Sequence, residues 1–501
     1  MLTKNSRKSS LFILLVGIAA VFALTRFFTR PAAGQAGPSF PSRTVPAAPA
    51  GAPTDQIIVG YAPQTGLQAD RAPDAPERMQ QLSAAAGLSL AYVRAMSGEG
   101  HVLRLPEALP LDEVQAIADR LEALPAVAYA DPDARMFPAR IPNDTWYDEQ
   151  WHYSGAYGIN APAAWDITTG SPSIRIAVLD TGITNHADLA GRWVGGYDFI
   201  ANLNVANDGN GRDSDPHDPG DWVFTGDCTF YTPNKPSSWH GTHVAGTIGA
   251  RSNNGLGVAG INWVSPIVPV RVLGKCGGYT SDIIDGMRWA AGLPVAGVPA
   301  NPHPARVLNL SLGGLSPCGS NLQSAINAVN AQGAVVVVSA GNSNQNAEAY
   351  SPANCAGVIT VAATASNGHK ANYSNYGSTV EISAPGGQFG VGQGGVLSTL
   401  NSGLYGPEGD DYAFYQGTSM AAPHVSGVVS LMLSLDPTLN YAGVLAILQA
   451  TARPFPPGGT DDACTTAICG AGIVNAAAAL ALVDPPPLPG PYRHYLPSLI
   501  R

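Results

Sequence analysis

The chain is poor in charge. Only 12 % of its 501 residues are Asp, Glu, Lys or Arg, too few for a coiled coil or an acidic disordered chain. Basic residues number 26 against 36 acidic ones, a formal net charge of −10, which leaves no basic footprint for nucleic acid. None of the six cysteines lies in a Cys-x-x-Cys spacing, and this argues against zinc. Beyond residue 24 no apolar run reads as a membrane span. What is abundant instead is Gly, at 57, and Pro, at 42. The balance points to a compact, loop-rich protein whose scattered carboxylates could serve a cation. At ~100–200 residues per domain, the length allows two or three domains.

The N-terminus reads as an export signal. Lys4, Arg7 and Lys8 precede the apolar run from Leu11 to Leu24, with Val21-Phe22-Ala23 as a cleavage site. Arg26 and Arg30 follow, so residues 1–30 are a signal peptide or, alternatively, a membrane anchor with the rest of the chain outside. Residues 31–54 are a Pro/Ala-rich linker, and 483–501 a Pro-rich tail. Six cysteines in an exported chain favour disulfides, with 15 pairings open.

Two folded units are expected between these ends. In residues 55–138, strand-like stretches and two helical stretches alternate as β-α-β-β-α-β, a ferredoxin-like unit. The helix over 111–124 has apolar residues three and four apart. In residues 140–482, five near-continuous apolar runs ("IRIAVLD", "PIVPVRVL", "ARVLNLSL", "GAVVVVSAGN" and "GVITVAAT") alternate with helical stretches. Such runs suit a mostly parallel sheet covered on both faces, a doubly wound α/β domain. Ligands of that architecture sit beyond the C-terminal ends of the strands.

Three polar residues fall on that side. Asp180 closes a strand, His240 opens a helix in "HGTHVAGT", and Ser419 opens another in "GTSMAAPHVSG". Each alone has a plain explanation: a turn cap, a cap or zinc ligand in His-x-x-His, and an N-cap. Together they are the orienting acid, general base and nucleophile that a serine hydroxyl needs, in the recurring order Asp…His…Ser. Asn342, ending "SAGN", could aim its amide at an oxyanion. The Ser419 backbone N–H at a helix N-terminus would be the second donor. His243 reads as a packed helix residue. Pro423 is expected within about the first turn, where its missing N–H costs little.

"VLDTGI", "HGTHVAGT" and "GTSMAAPHVSG", in this order, resemble the three signatures of the subtilases, the subtilisin-like serine proteases. The proteinase-K and aqualysin side of the family is nearest in character. The resemblance covers residues ~140 to 482, and the small unit before it resembles the family's inhibitor propeptide. It implies Asp180, His240 and Ser419 as the triad, Asn342 as the oxyanion donor, and Ser311, Leu312, Gly313, Gly314 and Gly341 as substrate-binding positions. The implied function is a secreted serine endopeptidase leaning to apolar or aromatic residues. It is made as a zymogen cut near residues 136–143, with its propeptide as inhibitor. It acts on proteins or peptides, as a monomer.

The resemblance further implies structural calcium. Asp144 and Asp188 would give carboxylates, Asn254 a side-chain oxygen, and Arg251, Leu256 and Val258 carbonyls. A second acid-rich loop, 207–221, departs from the family pattern and reads as solvated. The implied disulfides are Cys228–Cys276, Cys318–Cys355 and Cys464–Cys469. Two rivals are a non-catalytic binding protein, opposed by the intact Asp180, His240, Ser419 and Asn342, and an α/β-hydrolase esterase. The latter needs Gly-x-Ser-x-Gly and another residue order.

Overall fold

The computed structural model describes residues 54–62, 72–98, 100–134, 140–228, 233–458 and 463–483. The expected leader, almost all of the linker, nearly the whole tail and part of the expected cleavage window lie outside the described residues.

The N-terminal unit follows the expected element order. Its strands are β1 (Thr54–Tyr61), β2 (Ala91–Ala95), β3 (Gly100–Leu109) and β4 (Val127–Pro132), with helices Pro76–Ala86 and Leu111–Glu122 between them. The sheet order is β2-β3-β1-β4, and every neighbour is antiparallel. Ile57, Val59, Leu103 and Leu105 alternate onto the buried face and meet Leu82, Val114 and Leu121 of the helices. Gly87 ends the first helix in the left-handed conformation, where its N–H satisfies the Ser83 carbonyl.

The larger unit contains β5 (Ile176–Asp180), β6 (Tyr197–Asp198), β7 (Ile267–Arg271), β8 (Val307–Leu310), β9 (Gly314–Leu315) and β10 (Val335–Ser339). After these come β11 (Tyr350–Ser351), β12 (Val358–Thr364), β13 (Ile382–Pro385), β14 (Val396–Asn401) and β15 (Asp410–Tyr415). Seven of them form one parallel sheet in the order β13-β12-β10-β8-β5-β7-β6. The order reverses around β5, which opens a crevice beyond its C-terminal end. Alternation explains the continuous apolar runs: Val335 and Val337 enter the core on one face, Val336 and Val338 the core on the other. Edge strands β6 and β13 and the hairpin of β14 and β15 are additions to the five expected runs. Two residues, or four including Ser383 and Pro385, carry too little pattern to be read as strands.

The helix Thr418–Leu435 runs through the first core and packs on four of the sheet strands. By composition it could cross a membrane, but 83 % of it is buried inside the protein; it is a core helix. The helix His240–Gly249 crosses beneath β14. There Ser398 and Thr399 hydroxyls donate to the helix carbonyls of His243 and Thr242, at 2.7 and 2.8 Å. This approach needs Gly246, where a Cβ would lie 2.1 Å from Thr399 Oγ1. Gly246→Ala should therefore destabilise the fold by about 1–3 kcal/mol through overpacking. Urea unfolding would read the loss, and an unchanged midpoint would contradict this packing.

Candidate active site

The last residue of β5 is Asp180, which has no solvent exposure. Its Oδ1 accepts hydrogen bonds from the Thr181 N–H at 2.8 Å and from His240 Nδ1 at 2.7 Å. Oδ2 has no partner among the described residues. The contact sets the histidine tautomer, with Nδ1 protonated and Nε2 left as the basic nitrogen. Burial alone would lower the basicity of His240. The charge and hydrogen bond of Asp180, helped by Asp221 and Asp218, outweigh it and raise its pKa. His243, one turn along the helix, is fully buried, donates from Nε2 to the Ala413 carbonyl and stacks on Tyr415. Burial lowers its pKa to about 3, so it stays neutral and structural.

Ser419 is the second residue of the long helix and is half-buried. Its hydroxyl donates to the Ser311 carbonyl at 3.2 Å, and no hydrogen bond joins it to His240. Asp–His contact is thus formed and His–Ser contact is not, a common state of a site without substrate. Pro423 lies deeper than the first turn, at the sixth helical position. Having no N–H, it leaves the Ser419 carbonyl without its intrahelical donor. Ser311 Oγ takes that place at 2.8 Å. The proline therefore links the serine helix to the segment after β8 on both sides of Ser419.

Asn342 lies three residues beyond the end of β10. Its Oδ1 accepts from both the N–H and the hydroxyl of Thr418, each at 2.8 Å. That leaves the Nδ2 donors free, beside a Ser419 N–H in the helix's first turn, where no intrahelical acceptor exists. Gly341 donates to Thr418 Oγ1 at 3.1 Å. At φ +104, a Cβ on Gly341 would lie 2.3 Å from Asn375 Nδ2, so only glycine fits. The segment Ser311 to Gly314 runs from buried Ser311 and Leu312 to exposed Gly313 and Gly314. Two cavities flank it. One, of about 390 Å³, is lined by His240, Asp221, Lys235, Ser311 and the Cys228–Cys276 pair. The other, of about 380 Å³, is lined by Leu273, Ile283, Leu312, Gly313, Gly314 and Leu322.

Three disulfides are formed: Cys228–Cys276, Cys318–Cys355 and Cys464–Cys469. The second joins the segments that follow β9 and β11, and these two strands pair with each other.

The expected calcium loop is brought together in part. Asp188, fully buried, accepts from the Asn254 amide at 2.8 Å, the Val258 N–H at 2.9 Å and the Tyr412 hydroxyl at 3.4 Å. Asp144 accepts the Asn253 N–H on Oδ2, and its buried Oδ1 has no partner. Burial raises both carboxyls, Asp188 to about 6, and each lacks a salt bridge among the described residues. The Arg251, Leu256 and Val258 carbonyls accept no hydrogen bond from a described residue. Asn254 directs its amide NH₂ to Asp188, and its oxygen accepts the Leu256 N–H in an Asx turn, which leaves that oxygen a second lone pair for a cation. An unpaired buried acid oxygen, a second anion and three open carbonyls fit a hard cation. No three acidic, His or Cys side chains gather closely enough among the described residues, so such an ion would depend on carbonyls. The 207–221 loop is held by arginines instead: Asp208 pairs with Arg271 at 2.7 Å, and Arg212 pairs with Asp282 and Asp285.

Sequence reading missed Thr181, Asp218 and Asp221. Asp221 lines the cavity beside His240 and accepts from the Ser238 N–H and hydroxyl at 2.6 and 2.8 Å. The cluster of acids in "HDPGD" was visible, but a loop without periodicity gives no direction to its side chains.

Residues 171–472 match the model of the subtilase family, Peptidase S8. An extracellular protease of Xanthomonas campestris is 48 % identical over 395 residues, which is 78 % of this chain and 66 % of that protein. An extracellular basic protease of Dichelobacter nodosus is 42 % identical over 79 % of this chain and 65 % of that protein. The chain thus spans slightly under two thirds of these curated relatives. Among solved structures, a protease from Pseudoalteromonas arctica is 52 % identical with a TM-score of 0.66, over 69 % of this chain and 100 % of that one. The chain belongs to the subtilase family of serine proteases, which are hydrolases of peptide bonds.

Proposed function

We propose that the chain is a secreted serine endopeptidase made as a self-processing zymogen. One observation supports the reading most: beyond the C-terminal ends of the strands Asp180 holds His240, Asn342 holds Thr418 next to Ser419, and Ser311, bonded to Ser419, lines the cavity beside His240. In the proposed cycle the Ser419 hydroxyl turns from the Ser311 carbonyl to His240 Nε2. It gives up its proton there as Oγ attacks the scissile carbonyl. Asp180 stabilises the imidazolium that forms. Asn342 Nδ2 and the Ser419 N–H receive the oxyanion without reorganising, since Thr418 already holds the amide. The imidazolium then protonates the leaving amine, and water repeats the sequence on the acyl-enzyme.

The substrate would extend along Leu312 to Gly314 as an added strand. Exposed glycines there and the aliphatic lining of the neighbouring cavity support an apolar or aromatic preference. The N-terminal unit, with its own core, would be the inhibitor propeptide, cut near residues 136–143, and the mature enzyme a monomer. The names of the extracellular relatives support secretion. Subtilases commonly bind structural calcium, and Asp144, Asp188, the Asn254 side-chain oxygen and the carbonyls of Arg251, Leu256 and Val258 would hold it here. The ion would neutralise the buried carboxyls and take no part in bond cleavage.

Ser419→Ala should stay full length and leave casein uncut, with kcat about 10⁶-fold lower, a range taken from subtilisin itself. A shortened, active Ser419→Ala chain would refute the assignment. Asn342→Leu should lower kcat about 10²–10³-fold at nearly constant KM, again the subtilisin range. His240 acts as a base only when neutral, and its pKa is raised from 6.5. Activity should therefore fall as pH drops through a midpoint above 6.5, read as the acid limb of kcat/KM. Calcium at about 100 times its Kd should add about 2.7 kcal/mol of stability. Asp188→Ala should abolish that calcium-dependent rise in Tm, and an undiminished rise would place the ion elsewhere.

A further inference from the structure

Asp218 is a buried acid that the proposed cycle does not use. It is 2 % exposed and has no salt bridge among the described residues. The nearby Arg271 is committed to Asp198, Asp208 and the Ala206 carbonyl. Its carboxylate accepts the Gly220 N–H at 2.8 Å and the Thr181 hydroxyl at 2.6 Å. Thr181 stands at a junction. Its Oγ1 also accepts the Gly241 N–H at 3.0 Å, from the residue after His240. Its own N–H donates to Asp180 Oδ1, the oxygen that His240 holds.

We propose that Asp218 and Thr181 are positioning residues, which lock the end of β5 to the start of the His240 helix and so fix the Asp180–His240 contact. The proposal rests on the reading of Asp180, His240 and Ser419 as a triad. A threonine hydroxyl has one proton and can turn. A carboxylate only accepts, so Asp218 compels that proton toward itself and leaves the oxygen's lone pair for Gly241. Burial raises Asp218 to about 7, so it is acceptor-only above that pH.

The anchor itself is rigid. The Ile183 N–H donates to the Pro216 carbonyl at 3.1 Å, and the Asp218 N–H to the Ile183 carbonyl at 2.9 Å. Asp218 is therefore laced to the chain three residues beyond Asp180. Gly241 allows the close approach, since a Cβ there would lie 2.2 Å from the Gly182 carbonyl oxygen. The charged groups acting on His240 are Asp180, Asp221 and Asp218, with His243 behind it. Asp180 dominates, so Asp218 acts chiefly through position.

The test uses the chain expressed at full length and allowed to mature, with a peptide substrate. Thr181→Val and Asp218→Leu should each lower kcat about 10- to 100-fold, as a small misplacement does, with KM within about twofold. Thr181→Ser keeps the hydroxyl and Asp218→Asn keeps an acceptor oxygen, so both should retain kcat within about threefold of the parent. Unchanged kcat in folded Thr181→Val and Asp218→Leu, or equal losses in Asp218→Asn and Asp218→Leu, would overturn the proposal. A second readout does not depend on turnover. In a Ser419→Ala background, the far-downfield ¹H resonance of the His240 Nδ1 proton should move in Asp218→Leu and return in Asp218→Asn. An unmoved resonance overturns the relay. A parent chain that cleaves no peptide overturns the protease reading instead, and the resonance still decides the relay.

Discussion

The Asp180 carboxylate is enclosed at the end of β5 with no exposure, and its one side-chain partner is the His240 imidazole. A lone buried anion is costly unless something answers its charge. Here the answer is a single histidine whose basicity rises in return. Much of the larger unit serves this pairing. Strand β5 lies inside the sheet between β7 and β8, and the histidine helix is drawn against it by glycines and hydroxyls. Gly241 leaves room for the Gly182 backbone and Gly246 for the Ser398 and Thr399 side chains, and Ser398, Thr399 and Thr181 reach helix backbone groups. The backbone that carries the histidine is thereby fixed, and the Asp180 contact orients its ring.

The serine side obeys a different constraint. Its helix is almost entirely buried, so it could be moved only by disrupting the core. Hydrophobic packing fixes a helix axis well and the end of a helix less well. Polar contacts finish the placement. Thr418 ties the first turn to Asn342 and Gly341, and Ser311 and Pro423 together tie Ser419 to the segment after β8. The same Thr418 contacts orient the Asn342 amide, so Ser419 and Asn342 share one support. Such shared support is what lets dipoles act on a developing charge without reorganising.

Buried acids recur around this core, each answered differently. Asp198 meets Arg271, which also pairs with the exposed Asp208. Asp282 meets Arg212, and Asp218 meets only neutral donors. Asp144 keeps an unpartnered oxygen, and both it and Asp188 have raised pKa values beside open carbonyls. The first groups brace loops. The last is the arrangement that a divalent ion would complete, far more cheaply than leaving the carboxyls unpaired.

How much of this was legible in the sequence depends on the kind of signal. Continuous apolar runs and helical spacing determined five strands and the two-layered covering of the sheet, because burial on both faces leaves a pattern in composition. The ordered segments around Asp180, His240 and Ser419 determined which side chains were available for nucleophilic chemistry. The short edge strands escaped, since two or four residues hold no period. Only the tertiary structure decided that Pro423 frees a carbonyl for Ser311, that the serine hydroxyl rests on Ser311 and not on His240, and that Asn254 turns its amide toward Asp188. It alone brought Asp218 within one hydroxyl of the triad. The physical reason is range: periodicity records which face of an element meets the core, whereas a hydrogen bond is settled over about 3 Å by partners far apart in the chain.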